Sequence, residues 1–122
     1  MLSQKQIYGT KGEDLAVSFL KNKGYKILER NYHIRGGEID IIALDNDTLV
    51  FIEVKARSTE KFGSPLEAIT YRKLKTLTKA AQFYKSQHPN LPEALRIDAV
   101  AITLERDYKI NSIELMKNIG LE

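Results

Sequence analysis

The chain has 122 residues, no cysteine and two histidines, with 43% hydrophobic and 29% charged residues and a formal net charge of +3. At roughly 100–200 residues per domain this is the length of one domain, able to bury an ordinary core without covalent staples. The lack of cysteine excludes disulfides, cysteine-ligated zinc, iron–sulfur clusters and thiol nucleophiles. No apolar run approaches the roughly 18–20 residues that span a bilayer, and Met1–Lys11 lacks the apolar core of a signal peptide. The expectation is a cytoplasmic protein with no membrane partner.

In chain order, Thr10-Lys11-Gly12-Glu13 has the S/T-x-x-E form of a capping box and predicts a helix start. Leu15, Ala16, Phe19 and Leu20 then recur at helical spacing, and Gly24 stops the helix. Tyr25–Arg30 reads as a short edge strand and Gly36-Gly37 as a turn. Glu38–Leu44 and Leu49–Ala56 are β-type runs around the polar turn Asp45-Asn46-Asp47-Thr48. The second run is apolar on both faces, as a central strand should be.

A loop around Gly63-Ser64-Pro65 leads to a second helix over Glu67–Gln87. Its apolar stripe is Leu74, Leu77, Ala81 and Tyr84, and His88-Pro89 ends it. Arg96–Leu104 and Lys109–Leu115 are closing strands around a turn at Glu105-Arg106-Asp107. The predicted order is α-β-β-β-α-β-β, an α/β (α+β) fold with a mixed sheet flanked by helices.

Charge is polarised along this chain. From Lys55 to Lys85 eight basic residues face two acidic ones, a local +6, while the remainder carries −3. Such a segment attracts phosphate backbones and releases their counterions; the plain alternative is a solvated helix face.

The hairpin holds the unusual residues. Asp40 interrupts one apolar strand, and Glu53 and Lys55 interrupt the next. Side chains alternate along a strand, so Glu53 and Lys55 share a face. If the turn is even-numbered and centred between Asn46 and Asp47, Asp40 falls opposite Glu53. Like charges directly opposed are destabilising unless they share a proton or a divalent cation. An all-oxygen set suits Mg2+ or Mn2+ better than zinc. Lys55 would keep the carboxylates ionised and offer a point charge to a phosphate. A structural ion cluster is the competing interpretation. Glu13 is either the capping-box carboxylate or a further acid aimed at the same place. Glu38, two residues before Asp40, reads as solvent-facing.

The combination Gly9-x-x-Gly12-Glu13, Gly36-Gly37-Glu38-Ile39-Asp40 and Val50-Phe51-Ile52-Glu53-Val54-Lys55-Ala56-Arg57, continuing to Arg96-Ile97-Asp98, resembles the bacterial YraN-type family. That family is similar to archaeal Holliday-junction resolvases and to the restriction-endonuclease-like PD-(D/E)XK nuclease core. Here Ile39 replaces the proline of that name, and Asp40 is retained. The resemblance implies that Asp40, Glu53 and the backbone carbonyl of Val54 hold Mg2+ or Mn2+. It implies that Lys55 contacts the attacking water or the scissile phosphate, and that Glu13 belongs to the site. The partner would be DNA, and a homodimer would supply two sites for two cuts. Arg57, on the strand face of Lys55, and Arg72, Lys73, Lys75 and Lys79 on the second helix would contact the nucleic-acid backbone.

Two functions from different classes follow: a metal-dependent endonuclease acting on branched or single-stranded DNA, and a non-catalytic nucleic-acid-binding module or assembly factor that keeps the fold. Other chemistries lack support. Gly9–Gly12 has no Gly-Lys-Ser/Thr ending and is no P-loop. His33 and His88 match no metal spacing and suit surface or turn roles, while Tyr71 and Tyr84 could stack on bases, core or boundary packing being the more common fate. Asp98, flanked by Ile97 and Ala99, is expected to pair with Arg96 or Arg57.

Overall fold

The computed structural model describes residues 1–59, 63 and 65–120. Glu60 and Lys61 of the basic segment and Ser64 of the expected loop lie outside the described residues. Helix α1 spans Gln4–Asn22 and starts earlier than expected. Ser3 is its N-cap: the Ser3 hydroxyl accepts from the Gln6 N–H at 3.1 Å, and the Ser3 N–H donates to Gln6 Oε1 at 2.8 Å. This reciprocal pair is the real capping box. Thr10–Glu13 lies inside the helix, so the Glu13 carboxylate is not used in capping. Gly12 is buried for a tertiary reason, because a Cβ there would meet Ala56 Cβ at 2.5 Å.

Five strands follow the expected order. They are β1 Lys26–Ile34, β2 Gly37–Asp45, β3 Thr48–Ser58, β4 Ala94–Leu104 and β5 Ile110–Met116. They form one mixed sheet in sequential order, antiparallel except for the β3–β4 pair. The parallel pair requires a crossover, supplied by helix α2, Tyr71–Gln87. β1 is an edge strand, longer than expected. The second helix begins later than Glu67, because Pro65–Ala68 forms a single 3-10 turn and Thr70 is extended. The Thr70 hydroxyl then caps the helix by accepting from the Lys73 N–H at 3.2 Å.

The helices cover opposite faces of the sheet. Ala16 and Leu20 of α1 pack with Ile41, Ala43, Val50, Ile52, Val100 and Ile102. Leu77, Ala80, Ala81 and Tyr84 of α2 pack with Ile39, Ile42, Leu49, Phe51 and Ile97. β3 is thus buried on both sides, which explains its continuous apolar run. No helix among the described residues is long and apolar enough to cross a membrane.

Candidate functional site

The β2–β3 hairpin has the expected register. Asn46, with a φ of 53°, and Asp47 form the turn, and pairing runs from Asp45↔Thr48 to Ile41↔Ile52. Pairing stops one step before Asp40 and Glu53, while β3 stays paired with β4 as far as Ser58↔Leu104. The sheet therefore forks beyond Ile52. Asp40 bridges the fork, its Oδ2 accepting from the Val54 N–H at 2.8 Å. In an extended strand a residue's N–H and C=O point to the same side, so the Val54 carbonyl also faces the fork.

Glu53 is 2% exposed on the α2 side of β3. Lys55 and Arg57 follow on the same strand face, both half-buried. From the other face α1 brings Glu13, whose close approach depends on Gly12 seating the helix against Ala56. Among the described residues only three buried side-chain polar atoms lack a hydrogen bond, and two of them are Glu13 Oε1 and Glu53 Oε2. Arg30 lies 3.6 Å from Glu13 Oε1, beyond hydrogen-bonding reach. Burial, and then the charge of Asp40, pushes the Glu13 pKa up. Asp40 is pushed up to about 8, first by burial and then by the adjoining Glu53 carboxyl.

Three carboxyl groups are thus gathered at the fork, with Lys73 3.2 Å from Glu53 and Arg30 3.6 Å from Glu13 as the nearby cations. The orphaned oxygens and the exclusively oxygen donors fit a hard divalent cation. Among the described residues no three acids or imidazoles close around one point. Mg2+ typically keeps several waters and takes one or two carboxylates from a protein, so two carboxylates and a carbonyl are the donors that would be available to it here.

The basic residues divide. Lys73 turns inward, with Nζ 3.2 Å from Glu53 Oε2. The sequence held a signal for this, since Lys73 continues the inward stripe of Leu77, Ala80, Ala81 and Tyr84 by one turn. Arg72, Lys75 and Lys79 are exposed and do not converge on the carboxylates. Lys75 and Lys79 line an open groove of about 610 Å³ with Tyr71, Thr78, Gln82 and Ile119. Of the two tyrosines, Tyr84 is buried and packs, whereas Tyr71 is 77% exposed and does not take the packing alternative. Glu38 is half-exposed, 3.9 Å from His33. His88 caps α2 and stacks on Tyr84 with centroids 4.0 Å apart, a turn role as expected.

At the hairpin end of the sheet Asp98 is paired with Arg96, one of its two expected partners. Its Oδ1 accepts from Arg96 Nε at 2.8 Å and from the Asn118 N–H at 3.0 Å. Its Oδ2 accepts from the Tyr25 hydroxyl and from Arg96 Nη2, each at 2.9 Å. Arg96 also donates to Asp45 Oδ2 at 2.7 Å, which holds the Asp45 carboxyl below its usual range. Tyr25, Asp45 and Asn118 were not foreseen as members, because the tertiary fold brings them in from distant segments.

Comparison with known proteins places this architecture among relatives. A protein of Alkaliphilus oremlandii is 50% identical over 109 residues, covering 87% of this chain and 93% of its own length. One of Desulfosudis oleivorans is 48% identical over 118 residues, 97% of this chain and 93% of its own. Each is described as a UPF0102 protein. Among solved structures, a chain of the EndoMS–dsDNA2 complex aligns with 80% of this chain and 36% of its own length, with TM-score 0.45 and 17% identity. Residues 12–102 match a family model that spans the fork, Lys73, Arg96 and Asp98, and the chain belongs to the uncharacterised protein family UPF0102.

Proposed function

We propose that this chain is a divalent-cation-dependent endonuclease that hydrolyses phosphodiester bonds in DNA. The observation that carries the proposal is the pair of buried, hydrogen-bond-free carboxylate oxygens, Glu13 Oε1 and Glu53 Oε2, flanking Asp40 at the fork. Ion pairs reach both oxygens, from Lys73 at 3.2 Å and Arg30 at 3.6 Å, without giving either a hydrogen bond. Asp40, Glu53 and the Val54 carbonyl would hold Mg2+ or Mn2+. When bound, the cation supplies Lewis-acid polarisation of the phosphate and acidifies a bound water.

The chain's own residues do the rest. Among the described residues Lys55 has no ion-pair partner, and on the face of Glu53 its ammonium is available to the scissile phosphate or the attacking water. Glu13, with its raised pKa, can take up and return a proton at its carboxylate. Arg57 extends the positive line along β3, and exposed Arg72, Lys75 and Lys79 contact phosphates farther out.

The test is incubation with supercoiled plasmid, single strands and a four-way junction, with Mg2+ or Mn2+ and an EDTA control. Cleavage is expected with the cation and is lost in EDTA and in Asp40→Asn and Lys55→Ala. No cleavage of any substrate by pure wild type overturns the proposal, and cleavage surviving both substitutions marks a contaminant. Salt-dependent DNA binding without cleavage would assign the chain to the binding-module class.

A further inference from the structure

We propose that Lys73 is the resident counter-ion of the fork: its ammonium holds Glu53 in the cation-free protein and yields Glu53 Oε2 to the divalent cation. The inference rests on the fork being a cation site and adds a positioning residue to it. Nζ stands 3.2 Å from Glu53 Oε2, the carboxylate side chain being 3% exposed and the lysine side chain 36%. The lysine thus reaches from a half-open position into a closed one and has solvent to retreat into. The contact is an ion pair alone, since Oε2 makes no hydrogen bond among the described residues. No hydrogen bond to Oε2 therefore fixes the ammonium in orientation. Glu53 and Asp40 are the acids whose field it enters.

Two consequences follow. A divalent cation that takes Oε2 faces an ammonium a few ångströms away, and that repulsion weakens either occupant in the presence of the other. The linkage is reciprocal, so removing the lysine charge must tighten cation binding. The freed ammonium, still beside the fork, then carries its charge to an entering phosphate.

The experiment titrates Mn2+ alone into wild type, Lys73→Met and Lys109→Met, without DNA, by calorimetry. Lys109 is exposed, 3.7 Å from Asp107, and serves as the charge control. Lys73→Met is expected to bind Mn2+ about tenfold tighter, the order set by one nearby unit charge at a high effective dielectric. In EDTA its unfolding midpoint falls, because Glu53 is left unpaired, and Mn2+ raises that midpoint more than it does in wild type. Lys109→Met matches wild type in both respects. Lys73→Gln, which can still donate a hydrogen bond to Glu53, is expected to shift the same way and keeps the test decisive if Lys73→Met does not fold. A merely structural lysine would give equal or weaker Mn2+ binding in both variants while wild type binds, and that result overturns the inference alone. If wild type and variants all fail to bind Mn2+, the fork is not a cation site and the proposed function falls with it.

Discussion

Two charged side chains are fully buried among the described residues, Glu53 on β3 and Asp98 on β4, and their surroundings are opposites. Each oxygen of Asp98 accepts two hydrogen bonds, from groups that include a guanidinium. Glu53 has one ammonium at 3.2 Å, an oxygen with no hydrogen bond, and a second acid beside it. The two sites stand on adjacent, parallel strands, so depth in the fold does not account for the difference. Satisfaction does. A buried acid with its lone pairs filled is part of the scaffold, and one left short of partners is what the proposed cation site would draw on.

The largest expected effect would break the scaffold side of this contrast. Asp98→Ala removes the acceptor of four hydrogen bonds, from Tyr25, Arg96 and Asn118, although Arg96 keeps Asp45, and is expected to cost about 3 kcal/mol of stability. Thermal unfolding checks it, and a loss no larger than that of an exposed acid such as Asp107→Ala would contradict the network's structural role. Asp40→Asn is expected to go the other way. Asparagine can still accept from the Val54 N–H, and removing one of two crowded carboxylates should raise the metal-free unfolding midpoint by a few degrees, about 1 kcal/mol. If the proposed function holds, the same variant is expected to lose cation-dependent cleavage.

pH sharpens the contrast further. The folded-state pKa of Asp40 is raised from 3.8 to about 8, so between those values the folded chain keeps a proton that the unfolded chain releases. Its stabilising contribution is complete below the ordinary carboxylate range and is lost as pH rises through about 8. In EDTA, the advantage of Asp40→Asn over wild type should therefore widen from pH 5 to pH 9. Mn2+ must displace that proton, so its affinity for wild type should climb over the same interval. An advantage independent of pH would show that Asp40 is already ionised in the cation-free protein.

The smallest effect concerns how Glu13 is delivered. Gly12→Ala gains about 1 kcal/mol of helix propensity but must push α1 off Ala56, and overpacking of this kind costs about 1–3 kcal/mol. Gly9→Ala meets nothing within 4 Å and should be neutral or slightly stabilising. Only Gly12→Ala is expected to weaken Mn2+ binding. Equal stability of the two variants would mean that the helix relaxes freely.

Much of this was legible because it is local. The hairpin register followed from a two-residue turn, and Asp40 and Glu53 follow from the register. The helix start was missed because two capping-box patterns compete in the first thirteen residues, and only contact with Ala56 explains why a glycine sits mid-helix at position 12. The fork was also out of reach: alternation alone continues the β2–β3 ladder to Asp40, whereas the strands separate and a side chain takes over a backbone bond. The charge of Lys73 suggests a phosphate contact, and its place one turn before the apolar stripe adds the contact with Glu53 that charge alone does not give.

The parallel pairing of β3 with β4 has a consequence in time. The β2–β3 hairpin closes through a two-residue turn, a microsecond-scale event, whereas β4 can pair only after the chain from Ser58 to Ala94 has crossed over. During synthesis and folding Asp40 and Glu53 are therefore brought together while still in water, where their repulsion is screened. The helix carrying Lys73 belongs to that crossover, so the element that covers this face of the hairpin also brings Glu53 its counter-ion.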